Sequence, residues 1–408
     1  MQCTRFTTWL DHVYEAISRR VLSRLCLPSE VGRHVEYIRR RPAFMADIRD
    51  LTLRYVLMNS LDESPGHYSF KVSGPSLLYA SCYAVLVRHL FGDLEALSPN
   101  DKMRWAEYIQ NYQNDDGLFR DPLIACPLAE ISDWWGWRHL SLHSLMALAV
   151  VGAVAEKPFC LLEPFKRRGE MVRWLESRTW DVSAANVSNE VQNYGTFLQY
   201  SRDFQGQSWC QEPLEEMYKW LDKTQDKATG LWGKQFEAPY DLSLGVQTGY
   251  HIWMLYFYDK RPIKCEERII DSCLATQNRL GGFGVMLNSS ACEDIDSVDL
   301  LSRFYQRTDY RRSEIEESLT KTLPWILTNQ NEDGGWVFRR YGRFSYGHPL
   351  MTTGPQESSL FSTWFRCLTL AYLFQVLDQP QGASINWRFL DCPGHQFFHR
   401  SEKNGERL

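Results

Sequence analysis

Hydrophobic residues recur at helical spacing along most of the chain, in segments that are separated by short polar turns. This spacing puts the apolar side chains on one face of a helix, where they can pack against a neighbour. The segments fall into six consecutive pairs, which predict twelve helices. The pairs are 45–61 with 74–90, 101–113 with 131–151, 165–178 with 188–202, 213–225 with 242–258, 265–277 with 292–305, and 313–329 with 358–377. The pattern therefore predicts an all-α fold built from helical hairpins.

One short phrase recurs at the ends of several of these helices. In the stretch WILTNQNEDGGW, residues 325–336, Gln330 is followed by polar residues, two glycines and a tryptophan. Similar phrases begin at Gln113, Gln225 and Gln277, and a degenerate unit is expected at 174–179. The last three phrases are spaced by about fifty residues, which indicates a repeat architecture.

The residue types in this phrase suit the end of a helix. Glycine adopts the left-handed backbone conformation that caps a helix, at positions such as Gly281 and Gly334. The glutamine amide can bond backbone groups that the helix end leaves free, and the aromatic residue can fold back over apolar surface. The phrase therefore predicts a structural turn, and its Gln and Trp are not expected to bind a ligand.

The motif Q-x-x-D-G-G-W followed by a second helix resembles the QW repeat of the terpenoid cyclase and protein prenyltransferase superfamily. The resemblance implies an (α/α)6 toroid, a ring of six helical hairpins, which we place at residues 43–378. Residues 1–42 then form an N-terminal helical extension and residues 379–408 a C-terminal tail. The superfamily includes cyclases, prenyl transferases and non-enzymatic proteins, so the activity needs its own argument.

Composition and charge exclude several classes of function. A net charge of −5 and a pI near 6.1 give no basic surface of the kind that binds nucleic acid. No run approaches the roughly eighteen apolar residues of a membrane span, and Asp11 and Glu15 interrupt the region where a signal peptide would be apolar. Eleven cysteines without paired spacing favour reduced thiols, and hence a cytoplasmic protein. Aromatic residues make up 14% of the chain, enough to line an internal cavity.

The strongest candidate for chemistry is a cluster of four acids near the start of the helix predicted at 292–305: Glu293, Asp294, Asp296 and Asp299. Crowded carboxylates repel one another, which raises the pKa of at least one of them and favours a neutral acid that can donate a proton. Asp296 and Asp299 share a helix face, with Glu293 one turn earlier. The alternative is a solvated acidic helix start, because acids near a helix N-terminus also favour the helix dipole.

The sequence D-I-D-S at 294–297 resembles the D-x-D-D or D-x-D-T motif of class II terpenoid cyclases, with Ser in the last place. The resemblance implies that Asp296 protonates an isoprenoid alkene or epoxide, with Asp294 in support, and so starts a cyclisation or isomerisation. Aromatic faces would stabilise the carbocations by cation–π attraction. The residues expected to bind substrate, from the starts and faces of the inner helices, are Asp133, Trp134, Trp135, Trp137, Asp241, Tyr250, Trp253 and Glu357.

The protein prenyltransferase branch of the superfamily predicts zinc ligands that this chain lacks. That branch binds zinc through an Asp-x-Cys pair and a distant His, whereas here Cys292 precedes Asp294. His139 and His143 are spaced for one helix face, but no third ligand is evident. We therefore expect no metal and no other cofactor, and we interpret both histidines as packing or hydrogen-bonding groups.

Two other functions remain open at this point. Many (α/α)6 barrels process glycans with a pair of carboxylates across a cleft, and acids such as Asp133, Asp241 and Glu357 could form such a pair with Asp296. The toroid could also be a non-catalytic protein that binds a partner or ligand. The insertion at 338–349 suits either a lid over a site or an ordered surface loop. In each catalytic interpretation the partner is a small-molecule substrate, and the preferred one is an isoprenoid.

Overall fold

The computed structural model describes residues 23–41, 43–62, 65–233, 238–377, 385–395 and 397–398. Most of the N-terminal extension therefore lies outside the described residues. The first described element is helix α1 (Ser23–Arg40), which packs against a helix of the last hairpin and ends in the basic residues Arg39 and Arg40. The domain limits at 42 and 378 stay predictions.

Six helical hairpins follow α1, as the hydrophobic pattern predicts. They are α2 (Phe44–Met58) with α3 (Leu78–Leu90), α4 (Pro99–Gln110) with α6 (Trp137–Val151), α7 (Glu170–Glu176) with α8 (Trp180–Phe204), α9 (Gln211–Thr224) with α10 (Pro239–Tyr258), α11 (Glu266–Ala275) with α12 (Ala291–Arg307), and α13 (Arg312–Leu327) with α14 (Leu360–Val376). A short helix α5 (Pro127–Ile131) lies in the connection between α4 and α6. Non-helical backbone at Ser183 interrupts α8.

The second helices of the hairpins form a closed inner ring. Each packs against the next in the order α3, α6, α8, α10, α12 and α14, and α14 returns to pack against α3. The inner helix α14 is buried on nearly all sides, as expected for a helix that is apolar all round, whereas the outer helix α9 is amphipathic. The chain is therefore an (α/α)6 toroid, and the predicted fold class is confirmed.

The glycine turns join neighbouring outer helices in the way that their residue types predict. In all four phrases the glutamine Nε2 donates to a glycine carbonyl: Gln113 to Gly117 at 3.0 Å, Gln225 to Gly230 at 2.8 Å, Gln277 to Gly281 at 3.0 Å and Gln330 to Gly334 at 3.1 Å. The Gln277 amide also reaches the next outer helix, where Nε2 donates to the Ser318 carbonyl at 2.9 Å. Gln330 Nε2 likewise lies 3.3 Å from Thr52 Oγ1 on α2, so the last turn is bonded to the first helix.

Both ends of the inner ring are covered. The insertion forms a small antiparallel hairpin of β1 (Phe344–Ser345) and β2 (Thr352–Thr353) near the N-terminal ends of the inner helices. At the opposite end, Tyr372 on α14 donates its hydroxyl to the carbonyl of His395 at 2.7 Å. The described part of the tail therefore packs into the ring. None of the helices in the described ranges is long and apolar enough to cross a bilayer.

Candidate functional site

An internal cavity of about 150 Å³ lies within the inner ring. It is lined by Trp134, His139, Asn189, Gln247, Tyr250, His251, Cys292, Asp296, Phe338, Phe344, Tyr346, Phe361, Phe365 and His395. These residues come from five inner helices or their starts, from the insertion and from the tail. Among the described residues that line the cavity, Asp296 carries the only carboxyl group. The acid that the sequence singled out therefore lies in the lumen of the toroid.

Glu293 belongs to the cap at the start of α12. The Ser290 side chain accepts a hydrogen bond from the Glu293 backbone N–H at 3.2 Å, and the Glu293 carboxylate accepts one from the Ser290 N–H at 2.6 Å. This reciprocal pair is a capping box, which satisfies two backbone donors that the helix start leaves free. Arg339 from the insertion also pairs with Glu293 at 3.1 Å. These contacts tie Glu293 to the fold.

Asp294 holds together several elements next to the cavity. Its Oδ1 accepts hydrogen bonds from the Phe283 backbone N–H at 2.8 Å and from Ser289 Oγ at 2.9 Å. Its Oδ2 accepts one from Trp325 Nε1 at 2.8 Å and a second from Arg366, which forms a fully buried ion pair with Asp294. Every donor comes from outside α12, so Asp294 fixes the start of that helix to its neighbours.

Asp299 lies one turn below Asp296 and is paired with Arg303 on the same helix. Both side chains are almost completely buried. Burial raises the pKa of Asp299, and the charge of Arg303 opposes that rise. The Arg303 guanidinium also donates to the Phe397 carbonyl of the tail at 2.7 Å, so this ion pair helps to hold the tail in place.

Asp296 differs from its three acidic neighbours because no described residue donates a hydrogen bond to its carboxyl group. The residue is 2% exposed. Burial, and then the negative charges of Glu293, Asp299 and Asp294, raise the pKa of Asp296 well above the usual range of aspartate. This shift favours the neutral carboxylic acid, the form that can donate a proton, and the side chain faces the cavity.

Aromatic side chains from α14 and the insertion form part of the cavity that Asp296 lines. Phe361 on α14 stacks against Tyr346 with ring centroids 4.4 Å apart, and Phe338 stacks on Phe344 at 3.9 Å. Phe365, one turn further along α14, lies 4.5 Å from Phe361. The insertion is thus more than a surface loop, because three of its aromatic rings complete the cavity.

Four histidines lie in or next to the cavity lining: His139, His143 and His395 are buried, and His251 is partly exposed. Burial is the first cause that lowers the pKa of each one, to about 4 for His143 and His251, so all four are neutral at pH 7. The rings of His139 and His143 lie 4.4 Å apart. Among the described residues, no group of three or more His, Cys, Asp or Glu side chains is placed to hold a metal ion.

The aromatic residues predicted to bind substrate divide into two groups. Trp134 and Tyr250 line the cavity. Trp135 packs beneath Gly347, Trp137 donates its indole N–H to Glu130 at 2.8 Å, and Trp253 packs against Trp232. These three tryptophans lie outside the cavity lining.

The polar residues predicted to bind substrate do not meet at the cavity. Asp133 pairs with Arg138 at 2.7 Å, and Glu357 pairs with Lys71 at 3.0 Å. Asp241 lies in the first turn of α10 and is half-buried outside the lining. The two ion pairs satisfy their carboxylates at the end of the ring. Of the four acids that the glycan interpretation named, only Asp296 is therefore part of the cavity lining.

Sequence reasoning missed several residues that line the cavity. Gln247 and His251 are spaced four residues apart on α10 and therefore share a face, but no motif marks them. His395 belongs to a segment that was expected to be a loop-like tail. Its Nδ1 lies 3.1 Å from the Tyr250 hydroxyl and its Nε2 lies 3.0 Å from Gln192 Nε2, contacts that only the folded ring creates.

Comparisons with known proteins add little to this site. Neither a family model nor a curated protein matches the chain. Among solved structures, the chain is similar to the GH76A α-1,6-mannanase from Salegentibacter sp. HEL1_6, with a TM-score of 0.44 and 11% identity. The similarity covers 80% of this chain and 98% of the mannanase. The reaction therefore has to be argued from the site itself.

Proposed function

We propose that this toroid is a class II terpene cyclase-like enzyme that starts the cyclisation or isomerisation of an isoprenoid by protonating it from Asp296. The observation that carries the proposal is the buried Asp296 carboxyl group, which has no described hydrogen-bond donor and lines an aromatic cavity. A general acid must hold its proton at the working pH and must reach the substrate. The raised pKa of Asp296 supports the first requirement, and its place in the cavity lining supports the second.

The proposed first step is transfer of the Asp296 proton to a carbon of a C=C bond. The π electrons form the new C–H bond, the neighbouring carbon becomes a cation, and Asp296 becomes a carboxylate. The rings of Phe361, Phe365 and Tyr346 line the cavity, where the quadrupole of an aromatic ring can attract the cation. Substrate that fills the cavity would displace water, which could otherwise capture the cation.

The other three acids support this step by position. Glu293, Asp294 and Asp299 hold α12 through the capping box, the Arg366 pair and the Arg303 pair, so their oxygens are engaged. Their negative charges also raise the pKa of Asp296 and thereby keep its proton in place. The resemblance to class II cyclases implies that Asp294 supports Asp296. We propose that it does so through its charge and its position, without contacting the substrate.

The cavity volume limits how much substrate it encloses. Engineered protein cavities of about 150 Å³ bind a molecule as small as benzene. We therefore propose that the reacting end of an isoprenoid occupies the space beside Asp296, with room for about one ring. A longer isoprenoid needs space that the insertion now fills with Phe344 and Tyr346.

Glycan hydrolysis is the second candidate, because many (α/α)6 barrels process glycans with a pair of carboxylates. Glycosidases use two carboxyl groups, about 5 to 9.5 Å apart, on either side of the bond that they cleave. The cavity lining contains one carboxyl group among the described residues, and seven of its fourteen residues are Phe, Tyr or Trp. This arrangement favours the isoprenoid over the glycan.

The test incubates the purified full chain with geranyl, farnesyl and geranylgeranyl diphosphates in separate reactions, and with α-1,6-mannan. Products are identified by mass spectrometry after removal of the diphosphate. We expect an isomer of one isoprenoid, with one deuterium incorporated when the reaction runs in D2O. Asp296→Asn should abolish this turnover while the far-UV circular dichroism stays unchanged.

A matched control is Asp115→Asn, the same chemical change at an exposed aspartate that pairs with Lys157 on the surface. This variant should turn over substrate like the unmodified protein. Equal isomerisation by Asp296→Asn would overturn the assignment of the acid. Release of mannose oligomers, without any isoprenoid product, would favour the glycan candidate.

A further inference from the structure

We propose that His251 is the base that ends the reaction, by taking a proton from the substrate cation with its Nε2 atom. This inference rests on the proposed function, because it assigns the second half of the same reaction. His251 lies on α10 and lines the cavity that Asp296 also lines. The acid and the base would then act on one enclosed substrate from two different inner helices.

The hydrogen bonds around Ser188 indicate which His251 nitrogen carries the proton. Ser188 Oγ is placed to donate its single hydrogen to the Ala185 carbonyl at 2.8 Å. His251 Nδ1 lies 3.0 Å from the same Ser188 Oγ. The arrangement that satisfies both contacts has Nδ1 donating to Oγ, and in a neutral imidazole Nε2 then has a bare lone pair. Ser188 is therefore a positioning residue for His251.

The His251 Nε2 atom has no partner among the described residues. Two other polar residues of the lining, Asn189 and Gln247, also leave an acceptor atom free, because each donates its amide N–H to a carbonyl of its own helix. Asn189 Nδ2 donates to the Ala185 carbonyl at 2.8 Å, and Gln247 Nε2 donates to the Ser243 carbonyl at 3.3 Å. Their carbonyl oxygens are left without described donors. This side of the cavity is therefore a wall of acceptors, suited to a cation or to an acidic C–H group.

The other histidines are less suited to this role. His139 Nδ1 lies 3.1 Å from the hydroxyl groups of both Tyr79 and Tyr346, so it is engaged in a hydrogen-bond network. Both ring nitrogens of His395 have partners, as described above. His143 Nε2 lacks a described partner, but His143 is not part of the cavity lining. His251 thus combines a free nitrogen with direct access to the cavity.

Burial lowers the pKa of His251 to about 4, so the ring is neutral and able to accept a proton at pH 7. A base this weak suffices, because a C–H bond next to a carbocation is strongly acidic. In the proposed step, the Nε2 lone pair forms a bond to that hydrogen, the C–H electron pair becomes the new C=C bond, and the cation is neutralised. The imidazolium then loses its proton to water, and the Asp296 carboxylate takes up a proton from water, so the cycle is balanced with solvent as the only additional reactant.

The test compares products from the unmodified protein with those from His251→Phe and His251→Gln, using the three isoprenoid diphosphates named above. We expect substrate consumption to persist, while the share of the original product falls by about tenfold and isomeric alkenes or alcohols replace it. Ser188→Ala should shift the products in the same direction, and Ser188→Thr, which keeps the hydroxyl, should restore them. His67→Gln, at an exposed position, is the control and should leave the products unchanged.

A second measurement keeps the inference testable if a His251 variant fails to fold. Nitrogen-15 NMR of the unmodified protein, labelled at histidine, reports the tautomer of each ring, and the His251→Gln spectrum assigns the signal. We expect a protonated Nδ1 and a bare Nε2 at pH 7. A protonated Nε2, or an unchanged product ratio in both His251 variants, would overturn the inference.

The two proposals fail in different ways. If Asp296→Asn retains full isomerisation, the proposed function is wrong at its first step, and the assignment of His251 to its last step falls with it. If Asp296→Asn is inactive and the His251 variants keep the original product ratio, Asp296 is supported as the acid and the assignment of His251 as the base is overturned.

Discussion

The indole Nε1 of Trp325 donates a hydrogen bond of 2.8 Å to Oδ2 of Asp294. This contact joins a residue of the repeat phrase to the acidic cluster. Arg366 on α14 binds the same oxygen, so α12, α13 and α14 meet at one carboxylate. The repeat that closes the toroid therefore also positions the helix that carries Asp296.

The first prediction separates two neighbouring aspartates by their effect on stability. Asp294→Asn should lower the free energy of unfolding by roughly 3 to 5 kcal/mol, because it leaves the buried Arg366 without its counter-charge. Asp296→Asn should change it by less than about 1 kcal/mol, since a neutral acid is replaced by a neutral amide of the same size. Urea unfolding at pH 7, followed by circular dichroism, measures both values.

A large loss of stability in Asp296→Asn would show that its carboxylate takes part in a structural network. It would also contradict the neutral state assigned to Asp296. The two variants differ only in which of two residues, two positions apart on α12, is changed.

The second prediction concerns the close approach of the glycine turns to the next outer helix. Gly281 has φ of +96°, and an added Cβ would lie 2.1 Å from the Lys321 carbonyl oxygen. Gly152 has φ of +80°, but an added Cβ there would meet no atom within 4 Å. Gly152→Ala should cost roughly 1 to 2 kcal/mol from backbone strain alone. Gly281→Ala should cost clearly more in the same unfolding experiment, and equal losses would refute close packing at this turn.

The third prediction is a pH dependence of stability that arises from the buried histidines. The folded-state pKa of His143 is about 4, below the usual 6.5, so the unfolded chain binds a proton that the folded chain does not. Stability therefore falls as the pH drops from about 6.5 to about 4, by at most roughly 3 kcal/mol for this one residue. Urea unfolding of the unmodified protein and of His143→Phe, at pH 7 and pH 5, should give a shallower pH dependence for the variant. Parallel curves would contradict a buried neutral His143.

Much of the fold was predictable because its signals are local. Helical spacing and glycine caps depend on residues that are close in sequence, and the observed helices begin and end within a few residues of the predicted ones in most hairpins. The hairpin at 165–202 deviates most, since α8 begins at Trp180 rather than near residue 188 and is interrupted at Ser183. That hairpin also lacks a clear copy of the phrase.

The cavity was predictable only in part because its lining depends on ring closure. Asp296 could be singled out since crowded acids are unusual in any sequence. His251 and Gln247 could not, because nothing in the sequence of α10 shows which of its faces points to the lumen. His395 reaches the cavity through tertiary contacts alone. For the same reason Trp135, Trp137 and Trp253 were expected to line the lumen although they pack elsewhere.

The fourth prediction tests the aromatic wall. Phe361→Leu should slow isoprenoid consumption by about fivefold, because it removes an aromatic ring that stabilises the cation by roughly 1 kcal/mol. Phe197→Leu is the matched control, since Phe197 is equally buried but stacks on Phe159 away from the cavity. Both variants should lose less than about 1.5 kcal/mol of stability, as hydrophobic exchanges of similar size do. Equal rates for the two variants would argue against cation stabilisation by Phe361.

The bond between Gln330 and Thr52 has a consequence for biosynthesis. The two residues are 278 positions apart in the chain. At ribosomal speeds, Gln330 is therefore synthesised roughly 15 to 55 s after Thr52. During that interval an open arc of hairpins exposes the apolar surfaces that α14 and α3 later cover. Binding by cellular chaperones is therefore most needed late in translation, just before the arc becomes a ring.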